Sequence, residues 1–162
     1  MTRNIRHIQT AILFCLTLVF VVGSLDAAAP DKSKRQAELI KTIKSNASQA
    51  EKDLACRELQ VIGTEACVDA LATMLTDPKL SHMARYALEP MPYPQAAKAM
   101  RDALAKTSGP TKVGLLISLG FRRDAGSTAA ITALLSDKDP DVISAAAAAL
   151  GRIGTVQAAK AL

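Results

Sequence analysis

The chain has 162 residues, enough for one domain, and is 49% hydrophobic but only 3% aromatic, with no tryptophan. Its apolar side chains are mostly Ala, Leu, Ile and Val, which favours packed helices over a β-sandwich. The net charge of +5 is spread along the chain. Without a dense basic stripe or interleaved aromatic residues, nucleic acid is not expected as a partner.

Residues 1–29 have the three-part pattern of a secretory signal. Basic side chains precede an apolar core at residues 11–25, and small residues follow at 27–29. A membrane-spanning helix needs about 20 apolar residues, so we expect cleavage and export to the periplasm or the extracellular space. The alternative is that residues 8–25 are retained and anchor the chain in a membrane.

Residues 30–50 predict one amphipathic helix. In "SKRQAELIKTIKS", Leu39, Ile40 and Ile43 fall on one face, surrounded by lysines and a glutamate. We expect this helix to cap the N-terminal end of the structure formed by the residues that follow.

Cys56 and Cys67 are the only cysteines that would remain after cleavage, and an exported chain meets an oxidising compartment. We expect them on neighbouring antiparallel helices, whose axes lie about 8–10 Å apart. A disulfide needs Cα atoms within about 7 Å. We therefore favour two small buried apolar side chains, with a disulfide as the alternative.

Residues 51–162 repeat one pattern along the chain. Four leucines recur at intervals of 29, 31 and 31 residues: Leu59, Leu88, Leu119 and Leu150. Large apolar residues stand twelve positions after each of them: Leu71, Met100, Ile131 and Leu162. A fixed period of about 30 residues is the signature of a solenoid.

Each unit of the repeat predicts two helices separated by a short break. Apolar residues recur at three- and four-residue steps within each helix. The breaks fall at four places: 63–64, 90–94, 124–126 and 154–155. Gly63 and Gly154 stand where a left-handed cap would let the chain turn, and Asp139 with Pro140 has the pattern of a helix start.

This pattern predicts an all-α fold, a right-handed α-solenoid of stacked antiparallel helix pairs. We expect about 3.5 repeats behind the N-terminal capping helix. The pattern stops within the fourth unit, at Leu162. We therefore expect the repeat domain, residues 51–162, to be truncated at its C-terminal end, in the N-terminal piece of a longer protein.

The segment "DPDVISAAAAALGRIGT" resembles a HEAT repeat of the short kind found in the bilin-lyase-like group. The residues that carry the resemblance are Asp139, Pro140, Val142, Ala146, Ala149, Leu150, Gly151, Ile153 and Gly154, with Leu59, Ile62 and Gly63 in the first unit. The middle units depart from the pattern. In the second, prolines at 90, 92 and 94 replace the glycine turn, and in the third, Arg122 and Arg123 replace the expected Ile and Gly. The resemblance implies the fold and leaves the function open, since such repeats serve many roles.

The sequence holds no catalytic constellation, so we expect neither an enzyme within this chain nor a cofactor. His82 lies near the start of a predicted helix and is expected on the surface. Asp137, Asp139 and Asp141 cluster in "SDKDPD", but the glycine and terminal glutamate of a calcium loop are missing. We interpret that cluster as a solvated turn with a helix cap, and we expect no metal site.

In repeats that resemble this one, the second helices usually line the concave face. Subtracting their buried positions leaves seven candidate partner-binding residues: Asp69, Thr73, Lys98, Arg101, Asp102, Thr132 and Lys160. The alternative is an ordinary solvated helix face. Arg122 and Arg123, at a turn rim, form a second candidate patch.

We therefore predict a non-catalytic scaffold module of an exported bacterial HEAT-repeat protein. Its partner would be another protein or a downstream domain of the same chain, with membrane contact only if the N-terminal segment is retained. One alternative is an accessory domain of a larger exported enzyme, with a haem-binding or hydrolase-like domain beyond residue 162. A second is a bilin-lyase-like role, which an export signal argues against because that chemistry is cytoplasmic.

Overall fold

A computed structural model describes residues 31–162. The predicted signal at residues 1–29 lies outside the described residues. The compact unit within that range is Ser33–Leu162.

Every regular element in the described range is helical. The α-helices are α1 (Lys32–Lys44), α2 (Gln49–Ile62), α3 (Val68–Ala72), α4 (Ser81–Leu88), α5 (Pro94–Leu104), α6 (Gly109–Phe121), α7 (Thr128–Ala133), α8 (Pro140–Ile153) and α9 (Val156–Ala161). Short 3-10 turns precede α3 at Glu65–Cys67 and α7 at Ala125–Ser127, and another follows α7 at Leu134–Ser136. The second helices of the first and third units are therefore shorter than their sequence pattern predicts.

The helices form two layers. The first helices of the units pack in chain order, α2 on α4, α4 on α6 and α6 on α8. In the second layer α3 packs on α5 and α7 packs on α9, while α5 also contacts α6 of the next unit. This regular step from one helix pair to the next confirms the predicted α-solenoid.

The leucines that define the period are the centre of the core. Leu59, Leu88, Leu119 and Leu150 are all fully buried, one in each helix of the first layer. Of the residues twelve positions further on, three are also fully buried: Leu71, Met100 and Ile131. The fourth is different, because Leu162 follows the last residue of α9 and is 65% exposed. It does not serve as a core anchor.

Helix α1 covers the N-terminal side of the first pair, as predicted. Leu39 and Ile43 are buried in the common core. Gln36 is also buried, and its amide exchanges two hydrogen bonds with Thr64 in the turn after α2. Arg35 donates from Nε and Nη2 to the two carboxylate oxygens of Glu58, at 2.6 and 2.7 Å.

The two glycine turns work by different means. Gly154 has φ +66° and ends α8 with the predicted left-handed cap. Gly63 has φ −65°, so the prediction of a left-handed cap there is wrong. Position 63 takes glycine because an added Cβ would overlap the carbonyl oxygen of Leu59 and would lie 2.9 Å from both Cys67 Sγ and Met91 Cε.

The third turn uses arginines where the fourth uses Ile153 and Gly154. Arg123 stands one repeat before Gly154 and adopts a similar left-handed conformation, with φ +50°. Arg122 donates from Nη1 to the carbonyl oxygens of Leu88, Glu89 and Met91 at 2.6–2.8 Å. Its guanidinium therefore satisfies carbonyl groups at the C-terminal end of α4, which have no partner within the helix.

The alanine run of α8 allows close packing against α6. Ala145, Ala146 and Ala149 are buried. An added Cβ at Gly120 of α6 would lie 2.9 Å from Ala149 Cα and 3.2 Å from Ala149 Cβ. At this crossing Gly120 has only a hydrogen atom where other residues have a Cβ, and this allows α6 to approach Ala149 of α8 closely.

Candidate functional site

A groove of about 290 Å³ lies on the second-helix layer, between α3 and α5. It brings together three of the predicted partner-binding residues, Asp69 from α3 and Lys98 and Asp102 from α5. Thr76, Gln95 and Lys106 complete its polar lining. The groove therefore joins charges of both signs from two consecutive repeats.

The charged side chains of Lys98 and Asp102 in this groove are exposed, and the ion pair between them is weak. Lys98 Nζ lies 2.6 Å from Asp102 Oδ2, one helical turn further along α5. The hydrogen bond from Lys98 lowers the pKa of Asp102, so this carboxylate stays ionised at neutral pH. Exposed pairs at this spacing contribute little to stability, so a partner can replace one member at little cost.

The other predicted residues have local roles. The hydroxyl of Thr73 donates to the carbonyl oxygen of Ala70 at 2.7 Å, and that of Thr132 donates to Thr128 at 2.9 Å. Both hydroxyls thus have partners within their own helical turn. Lys160 is exposed on α9 and does not line the groove.

Arg101 forms a salt bridge between two consecutive repeats. Its Nη1 lies 2.6 Å from Oδ2 of Asp124, in the turn between α6 and α7, and both side chains are partly buried. The guanidinium also packs near Gly126 of the same turn. Arg101 therefore supports the wall of the second-helix layer and is less available to a partner than Lys98.

The second candidate patch, Arg122 with Arg123, is not a pair of free cations. Arg122 is half-buried and its Nη1 is committed to three carbonyl oxygens. Burial lowers the pKa of Arg122, with nearby Asp124 and Glu89 opposing that shift. Of these two arginines, Arg123 is the one that is exposed to solvent.

The acidic cluster before α8 is a turn and a helix cap, as the sequence predicts. Asp137 Oδ1 accepts from the backbone N–H of Asp139, and Asp139 Oδ1 accepts from that of Asp141 at 2.9 Å. The first of these bonds lowers the pKa of Asp137. Among residues 31–162, no group of His, Cys, Asp and Glu side chains is arranged to hold a metal ion.

Cys56 and Cys67 are both fully buried, in agreement with the favoured interpretation, and are free thiols. Burial raises the pKa of Cys56 to about 12 and also raises that of Cys67. Because the thiolate is the reactive form, neither side chain has the character of a nucleophile.

A second groove, on the first-helix layer, was not predicted from the sequence. It has a volume of about 400 Å³ and lies along α4, between α2 and α6. Its main lining residues are Gln60, His82, Arg85, Tyr86, Glu89 and Phe121. The feature of the sequence that could have indicated this groove is the presence of Tyr86 and Phe121, because aromatic residues are scarce in this chain.

Comparison with known families agrees with this architecture. Residues 108–162 match the family described as HEAT repeats. That segment contains α6 to α9, and the same pairing of helices extends back through α2 to α5. The fold thus defines an α-solenoid of the class that presents stacked helices to other proteins. Residues 108–162 therefore consist of HEAT repeats, and the described range as a whole is a HEAT-like α-solenoid.

A search of curated proteins found no match to the chain. Helical repeat folds of this kind are typically non-catalytic and commonly mediate protein–protein interaction. None of the helices between residues 31 and 162 has the length and apolar content needed to cross a membrane.

Proposed function

We propose that this protein is a non-catalytic interaction module that binds a protein partner along the concave, second-helix face. The observation that carries the proposal is the groove between α3 and α5, where Asp69, Lys98 and Asp102 from two repeats converge. The partner is another protein or a further domain of the same protein.

The packing of the repeats supports this role because it fixes the spacing of the charges. Met100 and Leu104 are buried beneath the exposed face of α5, and Leu71 is buried beneath that of α3. The groove is therefore part of a rigid surface, and a partner binds it without ordering a loop. Charges of both signs contribute mainly to specificity and to the rate of association.

An exchange of charges within α5 tests the proposal. The double variant Lys98→Asp with Asp102→Lys keeps the net charge and an oppositely charged pair one turn apart, but reverses the pattern that a partner meets. We expect its helicity and thermal midpoint to match those of the wild type. In affinity capture followed by quantitative mass spectrometry, proteins that bind this groove would be lost with the variant.

The matched control is Lys160→Asp, which changes a charge on the same layer outside the groove. We expect it to retain the captured proteins. If capture by the exchanged variant equals capture by the wild type, the groove is not the binding surface and the proposal fails.

We also propose that the protein is exported, on the basis of the basic, apolar and small-residue pattern of residues 1–29. N-terminal sequencing of protein recovered from outside the cytoplasm tests this. A mature N-terminus near residue 30 is expected, whereas an intact Met1 would favour the retained anchor.

A further inference from the structure

The groove on the first-helix layer concentrates side chains of the kind that dominate protein interfaces. Two of the three aromatic residues in the described part of the chain line it, Tyr86 at 42% exposure and Phe121 at 58%. Arg85 lies in the same groove. Tyr and Arg are enriched among the residues that contribute most to binding. This groove is on the opposite layer from the one proposed above.

Arg85 carries a charge without a salt bridge. Its Nη1 donates to the Gly114 carbonyl oxygen at 3.0 Å and to the Ser118 hydroxyl at 3.3 Å, both on α6. Nε is buried and has no hydrogen-bond partner, and Nη2 makes no hydrogen bond within residues 31–162. No carboxylate of that range lies within 4.0 Å of the guanidinium.

The position of this guanidinium is built into the fold. It lies directly against α6, where an added Cβ at Gly114 would overlap Nη2 and Cζ of Arg85. Burial lowers the pKa of Arg85, opposed by the nearby carboxylate of Glu89. A half-buried cation without an ion-pair partner is costly, and a ligand that supplies an anionic oxygen would offset that cost.

We propose that this groove binds an acidic segment of a partner protein, in which one carboxylate reaches Arg85 and an adjacent apolar side chain packs on Tyr86 and Phe121. Within residues 31–162, Nη2 is the guanidinium nitrogen that neither makes a hydrogen bond nor is fully buried, so the site offers one donor and no bidentate fork. Glu89 on the wall weakens the positive potential at this donor. One donor offsets less of the desolvation cost of a doubly charged phosphate than of a singly charged carboxylate, so the site favours a carboxylate.

The rim of the groove is held in place for an apolar contact. The guanidinium of Arg152, from α8, lies 4.5 Å from the centroid of the Phe121 ring. A cation over an aromatic face is attracted to it, so this contact orients the ring on the α6 side. The opposite side is formed by Tyr86 of α4. An acidic residue followed by an aliphatic or aromatic one therefore fits the site.

Fluorescence anisotropy with the full chain tests this proposal. The probe is a short fluorescein-labelled peptide with Glu–Leu pairs separated by glycine and serine. Two matched peptides replace each Glu with Gln or with phosphoserine. We expect the Glu–Leu peptide to bind about tenfold more tightly than the Gln–Leu peptide, the loss expected for one charge-assisted hydrogen bond, and more tightly than the phosphoserine peptide.

The variants Tyr86→Ala and Phe121→Ala alter exposed side chains, so we expect them to fold and to weaken binding of the Glu–Leu peptide. Arg85→Lys keeps the charge and should also weaken it, with folding checked by circular dichroism. Lys160→Ala, on the other layer and outside both grooves, should leave binding unchanged. Equal binding of the Glu–Leu and Gln–Leu peptides, tighter binding of the phosphoserine peptide, or equal loss in Lys160→Ala would each overturn the proposal.

Discussion

Gly120 and Gly151 occupy equivalent positions in consecutive repeats, but substituting each by alanine should change the stability by different amounts. An added Cβ at Gly120 would lie 2.9 Å from a backbone atom, Ala149 Cα, which cannot move aside as a flexible side chain would. An added Cβ at Gly151 meets no atom within 4 Å. Both residues lie in the last turn of their helices, so the change in helix propensity is closely matched.

The expected magnitudes follow from two opposing terms. Alanine is more favourable than glycine in a helix by up to about 1 kcal/mol. Overpacking a close helix contact costs about 1–3 kcal/mol. Gly151→Ala should therefore raise the free energy of unfolding by up to about 1 kcal/mol. The free energy of unfolding of the Gly120→Ala variant should be lower than that of the Gly151→Ala variant by the overpacking cost, about 1–3 kcal/mol.

Urea denaturation followed by circular dichroism measures both values, provided that the slope with denaturant is unchanged. The difference between the two variants is the quantity of interest, because effects on the unfolded chain cancel between them. If both alanines stabilise the protein equally, α6 and α8 do not make the close contact that the stacked repeats require.

Three further predictions concern single side chains. Replacing Arg123 by glycine should raise the free energy of unfolding by about 1 kcal/mol, since glycine tolerates the left-handed conformation; a decrease in urea denaturation would contradict this. The hydrogen bonds from Arg35 lower the pKa of Glu58, so their stabilisation is present above the unfolded pKa and is lost as the pH falls through the folded one. Glu58→Gln should therefore flatten the loss of stability in urea titrations between about pH 5 and 3, and an unchanged pH profile would refute the coupling. With its pKa raised to about 12, Cys56 should react with a thiol reagent at pH 8 only as the protein unfolds; rapid labelling of folded protein would contradict its burial.

Much of the fold was predictable because period and burial are properties of the sequence pattern. The spacing of Leu59, Leu88, Leu119 and Leu150 places one anchor in each first-layer helix, and all four are buried. Asp139 and Pro140 likewise have local helix-start chemistry, and α8 begins there with the expected cap. Patterns of this kind can be interpreted without knowing which residues pack against them.

The turns were less predictable because their chemistry depends on distant residues. Gly63 was expected to supply a left-handed conformation, but its φ is −65°, and an added Cβ there would overlap the Leu59 carbonyl oxygen and come close to Cys67 and to Met91 of the next unit. Arg122 satisfies carbonyl oxygens more than 30 positions earlier in the chain. No local pattern distinguishes such an arginine from an exposed one.

The candidate site was predictable only in part for the same reason. Helical periodicity correctly placed Asp69, Lys98 and Asp102 on an exposed face, and the structure brings them into one groove. It could not show that Arg101 forms a salt bridge with Asp124 in the turn of the next unit. It also could not show that Arg85 lies against a glycine one repeat away. Those contacts arise from the stacking of repeats and appear only in three dimensions.

The most direct test of the stacked repeats is a pair of nuclear Overhauser effects between consecutive units. The structure predicts cross-peaks from the Gly120 Hα protons to the Ala149 methyl group and from the Gly63 Hα protons to the Met91 methyl group, because an added Cβ at each glycine would nearly touch these partners. Both cross-peaks together would establish the step from one helix pair to the next at each end of the stack. Their absence in a well-folded, fully assigned protein would contradict the solenoid.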